Sequence, residues 1–530
     1  MRGRPRQIAL AQAADLIADE ATISVSSSSG LGCPDATLRA IGDRFRETGS
    51  PRNITSIHPI AAGDMYGIVG IDHLAQEGLL RRVIAGSYPS GPSSMPSPRI
   101  WQMIYDNQIE AYNLPSGIIF HMHAEAAARR PGVLTKVGLD TFVDPRHSGG
   151  RMNARTETDI VDVVQFDGRE WLYFRSIPID VAIIRATTAD EAGNLTYEHE
   201  GAYLGAMDQA LAARNNGGIV IAQVKRVTAA GSMPTQSVRV PGNLVDYIVV
   251  DPDQMQTTQT AYDPAISGEL RSAADSFEPV PWGPEKVIAR RAAMELQPGE
   301  TVNLGFGISA LVPRILLEEG QGNTVTWAIE QGAVGGVPLL GFAFGCAANA
   351  MAIVPSPQQF TYFQGGGFDR TCLSFMQVDS AGSVNVSKLG AKPHVTAGAG
   401  GFIDITANAR NIVFSGYLTA GGIDLSLEDG CLRINREGKV RKFVRDIEQT
   451  TFSGRRAMAR GARVVYVTER CVLELREHGL TVTEIAPGID LQREVLDQIE
   501  AQVCVAADLR EMDARLFRPE LMGHLTGEAR

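Results

Sequence analysis

Thr324-Val325-Thr326-Trp327-Ala328-Ile329 is an extended apolar–polar run that meets, at Glu330, a glycine-rich turn: Gln331-Gly332-Ala333-Val334-Gly335-Gly336-Val337-Pro338. A carboxylate at a strand tip, with few side chains in its way, is well placed to attack a substrate. Upstream lies a second junction of the same kind, Thr301-Val302-Asn303-Leu304 running into Gly305-Phe306-Gly307. Strand, Gly305-x-Gly307-x-x-Ala310, helix and an acid ending the next strand also fit the dinucleotide fingerprint, in which Glu330 would hold a ribose hydroxyl. A ribose-binding acid needs no glycine turn after it, yet Glu330 has one. The third possibility is an ordinary buried βαβ edge with an exposed Glu. These residues alone leave all three open.

Elsewhere, runs such as Val181-Ala182-Ile183-Ile184, Ile219-Val220-Ile221-Ala222 and Ile412-Val413-Phe414 are apolar at every position. That marks parallel strands covered by helices on both faces. Alternation with helical patterns predicts an open, mostly parallel α/β sheet, and such sheets bind ligands at the carboxyl ends of their strands. Both glycine junctions fall there.

The pattern occurs twice. Ala13-Ala14-Asp15-Leu16-Ile17-Ala18-Asp19-Glu20-Ala21-Thr22-Ile23 aligns without gaps on Ala292-Ala293-Met294-Glu295-Leu296-Gln297-Pro298-Gly299-Glu300-Thr301-Val302. Each predicts a helix and strand leading to a small-residue loop, Ser26-Ser27-Ser28-Ser29-Gly30 in one and Gly305-Phe306-Gly307 in the other. Asp190-Glu191-Ala192-Gly193-Asn194-Leu195 matches Asp379-Ser380-Ala381-Gly382-Ser383-Val384 in the same order. Two homologous α/β domains follow, over 1–262 and 285–515. A linker rich in Pro264, Pro279, Pro281 and Pro284 joins them over 263–284, and 516–530 reads as a tail.

Composition narrows the function. At 530 residues, 44% hydrophobic and 21% charged, the chain has room for several full cores. A net charge of −11 and a pI near 5.4 argue against a nucleic-acid partner. Arg2-Gly3-Arg4-Pro5-Arg6 is basic but is expected to be a frayed terminus. Six cysteines (Cys33, Cys346, Cys372, Cys431, Cys471, Cys504) form no C-x-x-C pair, so neither a disulfide framework nor a zinc site is expected. With no apolar leader segment, a cytoplasmic location is expected. Gln331 to Val354 carries no charge and is long enough to span a bilayer. Its five glycines and Pro338 instead predict a buried loop and helix, and no membrane partner. His121, His123 and Glu125 would share one face of a strand and could ligate a metal, but no further ligand is in view, so no metal site is expected. Neither a G-x-S-x-G elbow nor a Walker loop occurs.

Longer motifs decide among the readings of Glu330. Ala328-Ile329-Glu330-Gln331-Gly332, Gly365-Gly366-Gly367-Phe368-Asp369 and Gly398-Ala399-Gly400-Gly401-Phe402-Ile403-Asp404-Ile405-Thr406 occur in that order. So do Pro131-Gly132-Val133-Leu134-Thr135-Lys136-Val137-Gly138, Thr141-Phe142-Val143-Asp144-Pro145-Arg146 and Thr483-Glu484-Ile485-Ala486-Pro487-Gly488-Ile489-Asp490. Over nearly its whole length the chain resembles the family I coenzyme A transferases, in the single-chain form that fuses both subunit types.

The resemblance implies that Glu330 is a nucleophile forming a glutamyl-CoA thioester. It implies a substrate pair of short-chain acyl-CoA and carboxylate, and a homo-oligomer. A carboxylate of reference pKa about 4.3 is ionised at neutral pH and needs no base. Thioester is exchanged for thioester, so neither metal nor ATP is needed, and coenzyme A is substrate rather than cofactor. Gly400 and Gly401 match the loop that lies over the Glu and would supply oxyanion donors. The alternative for them is a tight turn before a strand at Phe402-Ile403-Asp404-Ile405. Gly305 and Gly307 should border coenzyme A, or else serve close strand–helix packing. Where the family commonly has Gln facing the acyl group, Asn113-Leu114-Pro115-Ser116-Gly117 has Ser116, so a roomier acyl pocket is expected. A CoA-thioester hydrolase or ring-opening relative, or a metabolite-sensing domain without chemistry, remain the alternatives.

Overall fold

The computed structural model describes residues 5–390 and 392–525. Across the first half runs a nine-stranded sheet in the order Arg6–Gln7, Tyr247–Val250, Ile219–Thr228, Val181–Asp190, Thr22–Val25, Ile54–His58, Leu80–Ala85, Glu110–Asn113. Every one of these neighbours is parallel; Leu195–Thr196 is added antiparallel to the Val181 strand. All ten residues of Val181–Asp190 are buried, which is why that strand shows no alternation.

A ten-stranded sheet forms the second half. Its centre, Thr326–Ala328, Thr301–Leu304, Arg370–Ser374, Asn411–Ser415 and Arg463–Val467, is parallel. Antiparallel strands flank it on both sides. The two halves are therefore open, mostly parallel α/β units, as the apolar runs predict.

The repeat extends to local geometry. Asp190 accepts hydrogen bonds from the amides of Ala192 and Asn194, and Asp379 from those of Ala381 and Ser383, through the same Asx turn. Gly193 and Gly382 stand at φ +87° and +71° in these turns. Ala189 pairs with Leu195, and Val378 with Val384, closing the same hairpin in each half.

Three expectations change. Arg6 and Gln7 are not frayed: they pair with Tyr247 and Ile248 at the sheet edge, while Arg2–Arg4 lie outside the described residues. Gln331–Val354 holds no α-helix. It folds back through Ala333–Val334, Val337–Pro338, Ala347–Ala348 and Ala352–Ile353, because its glycines supply positive-φ corners that a helix cannot use. Among the described residues no helix is long and apolar enough to cross a membrane. Finally, Leu516, Phe517, Met522 and Leu525 are buried in the second half's core, so residues 516–525 pack down. Residues 526–530 lie outside the described residues.

The halves do not merely abut. Ala399 and Ile403 belong to the apolar core of the first half, and Ile60 and Phe120 to a core of the second. Shared burial of this kind resists separation, since each buried aliphatic or aromatic side chain contributes roughly 1.5–3 kcal/mol.

Candidate active site

The strand Thr326–Ala328 pairs with Thr301–Leu304 in parallel register, Asn303 opposite Ala328. Gly305 follows the last residue of the one strand and Glu330 lies two residues past the end of the other, both beyond the carboxyl edge of the sheet. Ile329 then closes a tight turn: its amide donates to Ala333 O, and its carbonyl accepts from Gly332 N and Gln359 Nε2. Gly332 is required there, with φ +120° and Val354 O only 1.9 Å from where a Cβ would sit. Next to it, Gln331 Nε2 donates to Ser28 Oγ of the first half, 3.1 Å away. Glu330 is thus fixed at the seam between the two sheets.

The other wall comes from two loops paired across the seam. Tyr88 N donates to Ala397 O, Gly400 N to Gly86 O and Ser116 N to Gly400 O. Asn113 acts as a clamp: its amide nitrogen donates to Ala85 O and Gly86 O, and its oxygen accepts from Ala399 N at 2.8 Å. This arrangement delivers Gly401 to the Glu330 carboxylate. A Cβ on Gly401 would lie 2.5 Å from Glu330 Oε2 and 2.8 Å from a Phe360 ring carbon, so only glycine lets the loop close this far.

Glu330 keeps a small accessible surface but is otherwise enclosed by protein, as at the floor of a narrow cleft. Burial pushes its pKa up to about 7, with the Gly401 amide pulling the other way. The carboxylate is therefore not simply ionised at neutral pH, as its reference pKa suggests. Desolvation, with no cationic partner among the described residues to offset it, disfavours the charge. Were Glu330 the nucleophile that the resemblance implies, only its anion would attack, and its loading would rise about tenfold per pH unit below pH 7 and level off above it. Stopped-flow measurement of a single turnover across this range checks the expectation; a flat profile contradicts it.

The site residues expected from sequence fare differently. Gly401 faces Glu330. Gly400, at φ +52°, shapes the loop, but its amide already donates to Gly86 O. Gly305 N donates to Cys372 O, and a Cβ there would meet Leu373 at 2.7 Å, which fits the close-packing alternative. Gly307 stands at φ +95° at the start of the turn Ile308–Leu311. Ser116 lies beside Gly400 with no exposed surface and, among the described residues, no hydrogen-bond partner for its Oγ.

Phe402-Ile403-Asp404-Ile405 is not a strand but the helix Phe402–Thr406, with Gly401 at its N-cap. All five residues are buried, so no alternation or helical stripe could tell the two apart. His121, His123 and Glu125 lie on the helix Ser116–Ala127, where His123 points away from the other two. His123 bonds Ser24 Oγ and Ile119 O, His121 bonds Thr361 Oγ1, and Glu125 pairs with Arg130. Among the described residues no cluster suits a metal ion.

Sequence reasoning missed Asn113 as the clamp, and it missed Phe360, Gln364 and Asp404. Cys33, Cys346, Cys372 and Cys471 are buried with thiols pushed up to about 12, which removes them as nucleophiles.

Known proteins resemble this chain over its whole length. The family described as Coenzyme A transferase matches residues 7–251. The chain is 40% identical over 532 residues to the acetate CoA-transferase YdiF of Escherichia coli K12, covering 100% of this chain and 98% of that one. The chain belongs to the coenzyme A transferase family. This CoA-transferase is also 41% identical over 516 residues to the caffeate CoA-transferase of Acetobacterium woodii, covering 96% and 97% of the two chains. The crystal structure of the E. coli O157:H7 acyl-CoA transferase YdiF, described as a thioester complex with CoA, superposes with a TM-score of 0.91 at 39% identity. It covers 100% of this chain and 99% of that one. The chain is thus an enzyme, and full-length kinship with CoA-transferases displaces the dinucleotide reading of Gly305 and Glu330.

Proposed function

We propose that this enzyme moves coenzyme A between a short-chain acyl-CoA and a free carboxylate such as acetate, through a thioester on Glu330. The observation that carries the proposal is the Glu330 carboxylate, held at the seam with no cationic partner among the described residues and the Gly401 amide against it. The thioester complex described for YdiF supports it. Glu330 attacks the acyl-CoA carbonyl, giving a mixed anhydride and CoA thiolate. The thiolate then attacks the glutamyl carbonyl, leaving glutamyl-CoA and releasing the first acid; the acceptor acid reverses these steps. The Gly401 N–H is the donor for the oxyanion that forms on the glutamyl carbonyl. One thioester is exchanged for another, so no ATP is consumed.

The A. woodii relative is named for caffeate, which makes an arylpropenoate the second candidate acid. A screen of isotopically labelled acetate, propionate, butyrate and caffeate against unlabelled acetyl-CoA ranks them. Parallel lines in double-reciprocal plots are expected for the best pair, with no sustained thiol release when the acceptor is left out. Steady release of free CoA without acceptor would identify a hydrolase instead.

A further inference from the structure

Asp404 is a buried carboxyl that the transfer chemistry above does not use. It has no exposed surface. Its Oδ2 accepts the Gly117 amide at 3.0 Å and its Oδ1 the Gln364 Nε2 at 2.8 Å. Gly117 lies in the first turn of Ser116–Ala127, whose first amide donates to Gly400 O. Two amides that a helix leaves unpaired at its N-terminus are therefore both satisfied across the seam.

Asp404 and Glu330 flank one aromatic ring. The Cβ positions of Gly117 and Gly401 would each fall 2.8 Å from adjacent edge carbons of Phe360, the first 2.7 Å from Asp404 Oδ1 and the second 2.5 Å from Glu330 Oε2. Two hydrogen bonds and a helix N-terminus favour a charged Asp404. Burial and the neighbouring Glu330 charge oppose it, and together they push its pKa up to about 8. The other ionisable groups on the packed elements are engaged elsewhere: His121 with Thr361, His123 with Ser24, Glu125 with Arg130, and Arg460 with the Thr406 and Ala409 carbonyls. Glu330 is thus the neighbour whose charge changes during transfer.

We propose that Asp404 is a positioning residue whose charge alternates with that of Glu330: it keeps its proton while Glu330 is a carboxylate and gives it up when Glu330 becomes a thioester. This rests on the covalent role proposed for Glu330. In the loading half-reaction the Glu330 negative charge leaves with the released carboxylate, while the Asp404 proton goes to solvent. The new Asp404 anion strengthens the bonds from Gly117 and Gln364, because hydrogen bonds to an ionised acceptor are about twice as strong as neutral ones. The Gly398–Gly401 loop and the first-half helix are then held more firmly for the second half-reaction. The two carboxyls titrate as a coupled pair.

The test is proton release in weak buffer near pH 8, with acetyl-CoA added and no acceptor, while intact-mass analysis reports loading of Glu330. Wild type is expected to release more proton per loaded site than Asp404→Asn, by at most about half a proton, since a group of pKa about 8 is half protonated there and only the Glu330 share of its upward shift is removed by loading. The Asn variant should still load within a few-fold of the wild-type rate but should lack this extra release. Equal release by both, with Glu330 loaded, overturns the proposal; absence of an adduct overturns the Glu330 mechanism instead. Should Asp404→Asn fail to fold, infrared difference spectra of wild type decide. Loss of a protonated carboxylic-acid carbonyl band on loading is expected, and its persistence overturns the alternation.

Discussion

Glu330→Ala is expected to lower CoA transfer by roughly four orders of magnitude or more, the scale seen when a covalent nucleophile is removed. Glu330→Gln should fail equally, since the amide keeps the shape but not the nucleophile. Both variants should still bind acyl-CoA. The Gln variant should also be more stable than wild type at pH 8. A carboxyl whose pKa is raised on folding, here from 4.5 to about 7, adds its full stability below pH 4.5. That contribution is lost as pH rises through about 7. The cost at pH 8 is at most about 3 kcal/mol at 1.36 kcal/mol per unit. Thermal melts at pH 4 and pH 8 check the sign: the Gln advantage should appear only at the higher pH. Retained transfer by either variant would remove Glu330 from the mechanism.

Gly401→Ala is expected to have the next largest effect. Its backbone sits at φ −86°, where alanine is at ease, so the substitution tests space rather than strain. The new methyl would stand 2.5 Å from Glu330 Oε2 and 2.8 Å from Phe360, and the carboxylate must move. Displacement of a reacting group by about 1 Å costs on the order of 100-fold in rate. Gly400→Ala makes the contrast. Nothing lies within 4 Å of its Cβ, but its φ is +52°, so a stability loss of about 1 kcal/mol with milder kinetic change is expected. Single-turnover rates and melting temperatures for the pair separate the two effects. Equal kinetic losses in both would mean that contact with Glu330 is not what Gly401 is needed for.

Why Glu330 and the duplicated α/β plan were legible in the sequence is a matter of range. A strand tip followed by Gly332, Gly335 and Gly336 announces itself through local backbone demands. The continuous apolar runs announce a covered parallel sheet. Asp404 gave no such signal: its role depends on Gly117, 287 residues away, and on Gln364, 40 residues away. Asn113 likewise acquires meaning only through Ala399, 286 residues distant.

The short helix Phe402–Thr406 was beyond reach because every residue in it is buried. Burial on all sides erases the period that separates helix from strand. Gln331–Val354 was read as uncharged and buried but not as a run of short hairpins. Its strands are two residues each, too short to show alternation. Ser116 came to notice through a departure from a family motif, and its Oγ is buried with no hydrogen-bond partner among the described residues.

The measurement that bears most directly on covalent transfer is peptide mapping of the loaded enzyme. The protein is incubated with acetyl-CoA without acceptor, reduced with borohydride, digested and analysed by mass spectrometry. Conversion of a single side chain from carboxyl to alcohol is expected, at Glu330, and adding excess acetate before the reductant should erase it. A modification at any other residue, or none under conditions where the enzyme exchanges isotopically labelled acetate into acetyl-CoA, would contradict a glutamyl-CoA intermediate on Glu330.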